Sequence, residues 1–97
     1  MDKNKLERFC SICKVLSQPC YLRVLFELYK QEKTVTDLYT TLNLTPDVLC
    51  HQVRTLRDRN IISRVRRKGK FVYYAITDEF VNSIIGDILD NESYYNL

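Results

Sequence analysis

Glycine, proline and histidine are scarce in this sequence, and each scarcity removes a class of function. Only two glycines, Gly69 and Gly86, and two prolines stand among 97 residues. A Walker loop or a dinucleotide fingerprint needs several glycines where backbone closes on a phosphate, so nucleotide-dependent chemistry is excluded. His51 is the single histidine, which removes most histidine-based catalysis and every multi-histidine zinc site. No apolar run approaches the ~20 residues that a membrane helix needs. The opening MDKNKLERFC lacks the apolar stretch of a signal peptide, so a cytoplasmic location without a membrane partner is expected. No nucleophile–base pair or carboxylate dyad is visible. An enzyme, a cofactor and a bound metal are therefore not expected.

What is present suits one globular domain spanning residues 1–97. Hydrophobic residues make up 45% and charged residues 28%, ordinary for a soluble domain of a size that supports one core. The net charge of +3 is mild but unevenly spread. Between Arg54 and Lys70 stand eight basic residues and one acid, Asp58, whereas Asp78 to Leu97 holds five acids and no base. Cations gathered in one stretch mark a side that faces a polyanion. A merely solvated charged surface is the alternative.

Apolar periodicity supplies the elements. Leu6, Phe9, Cys10, Cys13 and Leu16 follow one helical stripe over residues 5–17, widened by Ile12 and Val15. A second helix starts near Ser17–Pro19 and buries Leu22, Leu25, Phe26 and Tyr29. Thr36 is expected to cap a short third helix over 37–42. Thr45-Pro46-Asp47 is a stronger start signal, with cap, proline and acid in order, for a fourth helix over 46–59 that Asn60 ends in a left-handed conformation. The period then becomes extended: strands over 61–67 and 70–77 join through a Lys68-Gly69 turn. A last helix over 78–90 carries Phe80, Val81, Ile84, Ile85, Ile88 and Leu89. Asn91 to Leu97 is expected to fray.

Two short helices joined by a tight turn and followed by a hairpin describe a winged helix-turn-helix. The fold expected is mainly α with a β-hairpin, in the order α-α-α-α-β-β-α, with the helix-turn-helix at 36–59 and the wing at 61–77. If Leu49, Val53 and Leu56 face inward, about 100° per residue puts Asp47, His51, Arg54, Thr55 and Asp58 on the opposite side. Val48 and Gln52 take one flank, Cys50 and Arg57 the other. Base reading belongs to the N-terminal half of such a helix, which nominates Asp47, Val48, His51 and Gln52. Gln52 can pair bidentately with adenine, and Val48 can touch a thymine methyl group. Thr45 sits where a helix start favours a phosphate. On the wing, Arg64, Arg66, Arg67, Lys68 and Lys70 crowd the hairpin tip, an arrangement suited to phosphate or minor-groove contact. A winged helix serving as a protein-interaction or architectural module is the rival reading.

Four segments in order resemble the ArsR/SmtB-type transcriptional regulators. LSQPCYLRVL from Leu16 looks like their LADPTRLRIL, and VTDL from Val35 resembles TVGEL. LRDRNII from Leu56 resembles LRDAGLV, with Asn60 in place of the helix-ending glycine, and RRKGKFVYY from Arg66 is very like RREGRWVYY. The resemblance spans about residues 5–90. It implies a homodimer joined through the first and last helices, 5–17 and 78–90, bound to double-stranded DNA, with repression as the default. Relatives often carry serine, arginine and histidine where Cys50, His51 and Gln52 stand here, so their operators do not transfer.

The metal-sensing motifs of that family are absent. The segment Thr34-Val35-Thr36-Asp37-Leu38 has no cysteine where relatives carry a CxC, and the last helix has no histidine. The effector is therefore unknown. Cys10, Cys13 and Cys20 leave three readings open: packing as small hydrophobes, redox pairing, or a three-sulfur site for a soft ion. Cys20, in the first turn of the second helix, is the best placed to react.

Overall fold

Asp2 opens the first helix by accepting a hydrogen bond from the Lys5 amide at 2.9 Å, so that helix begins earlier than its apolar stripe implies. The chain was built as a computed structural model that describes residues 1–91; the fraying expected beyond Asn91 lies outside the described residues. The elements run α1 (Lys3–Leu16), α2 (Pro19–Lys30), α3 (Val35–Leu42), α4 (Pro46–Asp58), β1 (Ile62–Lys68), β2 (Phe71–Ile76) and α5 (Glu79–Asp90). This is the expected order. No helix among the described residues is long and apolar enough to cross a membrane.

Caps explain most boundaries. Thr34, not Thr36, starts α3. Its hydroxyl accepts from the Asp37 amide at 3.1 Å, and the Asp37 carboxylate accepts from the Thr34 amide at 3.1 Å. That reciprocal box needs an acid three residues on; Thr36 finds Tyr39 there, so it cannot compete. Helices α3 and α4 are each followed by an asparagine in the left-handed region, Asn43 at φ 55° and Asn60 at φ 57°, a conformation asparagine tolerates better than most residues.

The hairpin pairs Lys68 with Phe71, so its two loop residues are Gly69 and Lys70 rather than Lys68 and Gly69. Gly69 takes φ +60°, which a side chain would strain. The register shifts between Arg64 and Arg66, leaving Val65 as a bulge that sets Arg66 opposite Tyr73. The Lys33 backbone exchanges two hydrogen bonds with Tyr74, at 3.1 and 2.8 Å. That bridge ties the α2–α3 connection to the hairpin, so the wing is fastened beside the helix-turn-helix.

Helix α2 runs through the middle of the core, with Val24 and Leu25 wholly buried and Leu28 nearly so. Leu38 of α3, Leu49 and Leu56 of α4, Ile61, and Ile85 of α5 close round it with no exposed surface. Truncating any of these to alanine should cost about 2–5 kcal/mol. Gly86 of α5 admits the Tyr29 ring, since a Cβ there would lie 2.6 Å from the Tyr29 hydroxyl. On α1 the buried residues are Ile12 and Val15. The stripe of Leu6, Phe9, Cys10 and Cys13 is left largely open, with Leu6 at 53% and Phe9 at 44% exposure and both cysteines exposed. Helix α1 has two apolar faces, and one chain covers only one of them.

Candidate nucleic-acid interface

Three residues, Asn43 to Thr45, separate α3 from α4. Thr45 caps α4 by accepting from the Val48 amide at 3.4 Å, and Pro46 fills the first turn. The inward face of α4 then carries Leu49, Gln52, Val53 and Leu56. Gln52 is a correction: expected on the flank that reads bases, it is 8% exposed and packed inward. The reason is spacing, because it lies three residues after Leu49 and four before Leu56, on the stripe they define. Its Oε1 is buried without a hydrogen-bond partner.

Asp47, Val48, His51 and Arg54 lie exposed on the outer face, and Thr55 is half-buried with its hydroxyl donating to the His51 carbonyl at 3.2 Å. Thr45 is exposed at the helix start. These residues share one surface; only Gln52 is withdrawn from it.

The wing cations are all exposed, but their freedom differs. Arg64 donates from Nε to the Tyr74 hydroxyl at 3.5 Å. Arg66 lies 3.8 Å above the centroid of the Tyr73 ring and donates to Glu32 at 2.5 Å. The hydrogen bond to Glu32 raises the Arg66 guanidinium above its ordinary pKa. Arg66 is thus held by its own chain rather than free at the tip, a consequence of the bulge that places it over Tyr73. Arg67 folds back to the Gly69 carbonyl at 3.1 Å, and the Lys70 ammonium lies 5.5 Å from the Phe71 ring centroid. Lys68 projects from the end of β1.

Between α4 and the hairpin lies a cleft of about 260 Å³ lined by Val35, Cys50, Val53, Arg54, Arg57, Arg64 and Tyr74. Arg57 was not among the residues nominated from sequence. Its signal was present: it follows Arg54 by three residues, on the flank shared with Cys50, and only the return of the hairpin shows what that flank faces.

Within one chain the cysteines do not form a site. All four thiols are free; Cys10, Cys13 and Cys50 are exposed and Cys20 is half-buried. Among the described residues no three histidine, cysteine or acidic side chains gather as a metal site. The three-sulfur arrangement of Cys10, Cys13 and Cys20 is therefore not assembled, because Cys20 packs toward the core while the α1 thiols line its open face. Nor are Cys10 and Cys13 buried as packing residues in the single chain. Beside them, the Phe9 ring of α1 meets the Phe80 ring of α5 at a centroid distance of 5.1 Å, and Phe80 is itself 41% exposed.

No protein-family model matches the sequence. The chain is similar to the arsenical resistance operon repressor of Bacillus subtilis, with 31% identity over 93 residues covering 92% of this chain and 88% of that protein. It also resembles the crystal structure of the transcriptional repressor PagR of Bacillus anthracis, with TM-score 0.80 and 26% identity over 90% of this chain and 99% of that one. A homodimeric winged helix-turn-helix DNA-binding domain from Mycobacterium bovis matches in fold at TM-score 0.79 and 20% identity, covering 96% of this chain and 87% of that one.

Proposed function

This chain belongs to the ArsR/SmtB family of winged helix-turn-helix transcriptional regulators and is not an enzyme; on that footing we propose that it represses transcription as a homodimer bound to double-stranded DNA. In this reading α4 enters the major groove with Asp47, Val48, His51, Arg54 and Thr55 outward, and Thr45 meets the backbone at the helix start. The wing lies on the neighbouring backbone or minor groove through Arg64, Arg67, Lys68 and Lys70, with Arg66 steadying its shaft. The observation that carries this is the Lys33–Tyr74 bridge, which fastens the cationic wing beside the helix-turn-helix. Repression is supported by the two repressors that the chain resembles.

Dimerisation through α1 and α5 is supported by their open apolar faces, where Leu6, Phe9 and Phe80 lie exposed together with Cys10 and Cys13. A monomeric soluble protein rarely leaves such a patch uncovered. The fold neighbour from Mycobacterium bovis is a homodimer. Packing of Cys10 and Cys13 against a second subunit then restores their role as small hydrophobes. Two recognition helices related by a two-fold axis would read half-sites ~34 Å apart.

The test is selection of bound duplexes from a random pool, followed by anisotropy titration of the winner against salt. About six to eight phosphate contacts give a slope of log K on log salt near −5 to −7. Absence of any salt-sensitive duplex binding would favour an interaction module instead.

A further inference from the structure

The cleft between α4 and the wing gathers three arginines, and among the described residues no ion pair is made by any of them. Two other arginines do have an acid beside them: Arg8 pairs with Asp78 at 3.0 Å and Arg66 with Glu32 at 2.5 Å. In the cleft, Arg54, Arg57 and Arg64 share a volume of about 260 Å³. None of the three has a carboxylate within 4.0 Å among the described residues. Arg57 is half-buried there, with its stem against the cleft wall and its guanidinium bearing on the same space as Arg54 and Arg64. Val35 and Val53 give the cleft apolar walls, which strengthen any ion pair formed inside. Three like charges converging on one half-enclosed space repel one another, and an anion placed among them relieves that repulsion.

From this we infer that the cleft seats one phosphodiester of the bound duplex, held by Arg54, Arg57 and Arg64. The inference rests on the DNA-binding reading above and deepens it. If α4 occupies a major groove and the wing an adjacent minor groove, the strand dividing those grooves has to pass between them, directly over this cleft. Guanidinium groups suit the task because each can offer two parallel N–H donors to phosphate oxygens. Arg57 is thereby a phosphate anchor, and the seat fixes how deeply α4 sits in its groove without reading any base.

The shared chemistry, a phosphate oxyanion, also exists free in solution, and the experiment separates the two sources. A selected duplex is prepared with single neutral methylphosphonates at successive positions of the strand between the half-site and its flank. Wild-type protein should lose about tenfold in affinity at one position per half-site, and Arg57→Gln should lose about tenfold on the unmodified duplex. Arg57→Gln should then show no further loss at that same position, and Arg57→Lys should recover part of the affinity. A loss in Arg57→Gln that adds to the effect of every methylphosphonate would overturn the seat while leaving DNA binding intact. Failure of wild-type protein to bind any duplex would overturn the underlying reading as well. Saturable binding of inorganic phosphate at millimolar levels, lost in Arg57→Gln and unaccompanied by methylphosphonate coupling, would assign the cleft to a free oxyanion and reject the duplex.

Cys50 on the cleft wall gives a second readout that depends on charge rather than on folding. In protein with Cys10, Cys13 and Cys20 changed to serine, labelling Cys50 with a sulfonate-bearing methanethiosulfonate should weaken duplex binding at least tenfold. The trimethylammonium reagent of similar size should not. Equal loss with both reagents would argue against an anion seat.

Discussion

Arg8 and Arg59 clasp each other's helices. The Arg8 guanidinium, on α1, donates to the carbonyls of Arg59 and Asn60 at the end of α4 and to the Asp78 carboxylate that caps α5. The Arg59 guanidinium returns to α1, donating to the Ser11 carbonyl at 3.1 Å and the Ser11 hydroxyl at 2.9 Å. A cation at the carbonyl end of a helix is favourable in itself. Here it also fixes the recognition helix to the helix proposed to carry the dimer face, and so bears on the spacing of the two half-site readers.

Arg8→Ala should therefore lower stability by about 1.5–3 kcal/mol, the usual range for hydrogen bonds to charged groups. Urea unfolding measures this directly. A change smaller than about 0.5 kcal/mol, the level typical of surface substitutions, would mean that solvent replaces the clasp without cost.

Gln52→Leu should stabilise the protein. Its Oε1 is buried and unpartnered, and a buried acceptor left unsatisfied costs about 1–3 kcal/mol. Thermal unfolding should show a raised midpoint, and duplex selection should return the same preferred sequence as wild type. A changed preference would restore Gln52 to the reading surface and contradict the burial found here.

Glu32→Gln should increase DNA affinity. The carboxylate holds Arg66 at 2.5 Å, and removing its charge releases a wing cation for a phosphate. The salt slope should steepen by about 1 for each subunit, one phosphate contact's worth. Anisotropy titrations at several salt concentrations would show it; a weakened complex with an unchanged slope would mean that Glu32 matters by shaping the wing.

Phe9→Glu should give a folded monomer. Phe9 is exposed in the single chain and meets the Phe80 ring, itself exposed, so circular dichroism should be unchanged. Sedimentation should show the dimer lost at micromolar concentration, with duplex affinity falling as the second half-site is released. A dimer that survives the added charges would place the interface elsewhere.

Much of this molecule was legible along the chain because its signals are local. Thr45-Pro46-Asp47 announced α4, Asn60 announced its end, and the switch from helical to extended period at Ile61 announced the hairpin. The misplacements are also local and have physical causes. Thr36 looked like a cap until Thr34 was seen to have the acid it needed at Asp37. Lys68-Gly69 looked like the turn, whereas the bulge at Val65 shifts the pairing and moves the loop to Gly69-Lys70. Gln52 is expected on a flank from the angle about the axis, but its spacing three residues after Leu49 and four before Leu56 brings it onto their buried stripe.

Periodicity, capping residues and charge distribution act between neighbours a few residues apart, so the sequence alone determined the element order, the family and the cationic character of one side. Only tertiary structure decided which cations are free. Glu32 lies far along the chain from Arg66, and Arg57 meets Arg64 only because the hairpin folds back beside α4. Tertiary packing likewise decided which of the two apolar faces of α1 the chain buries for itself. Ion pairing, burial and the shape of a cleft depend on distances through space, and those distances exist only after the helices have packed.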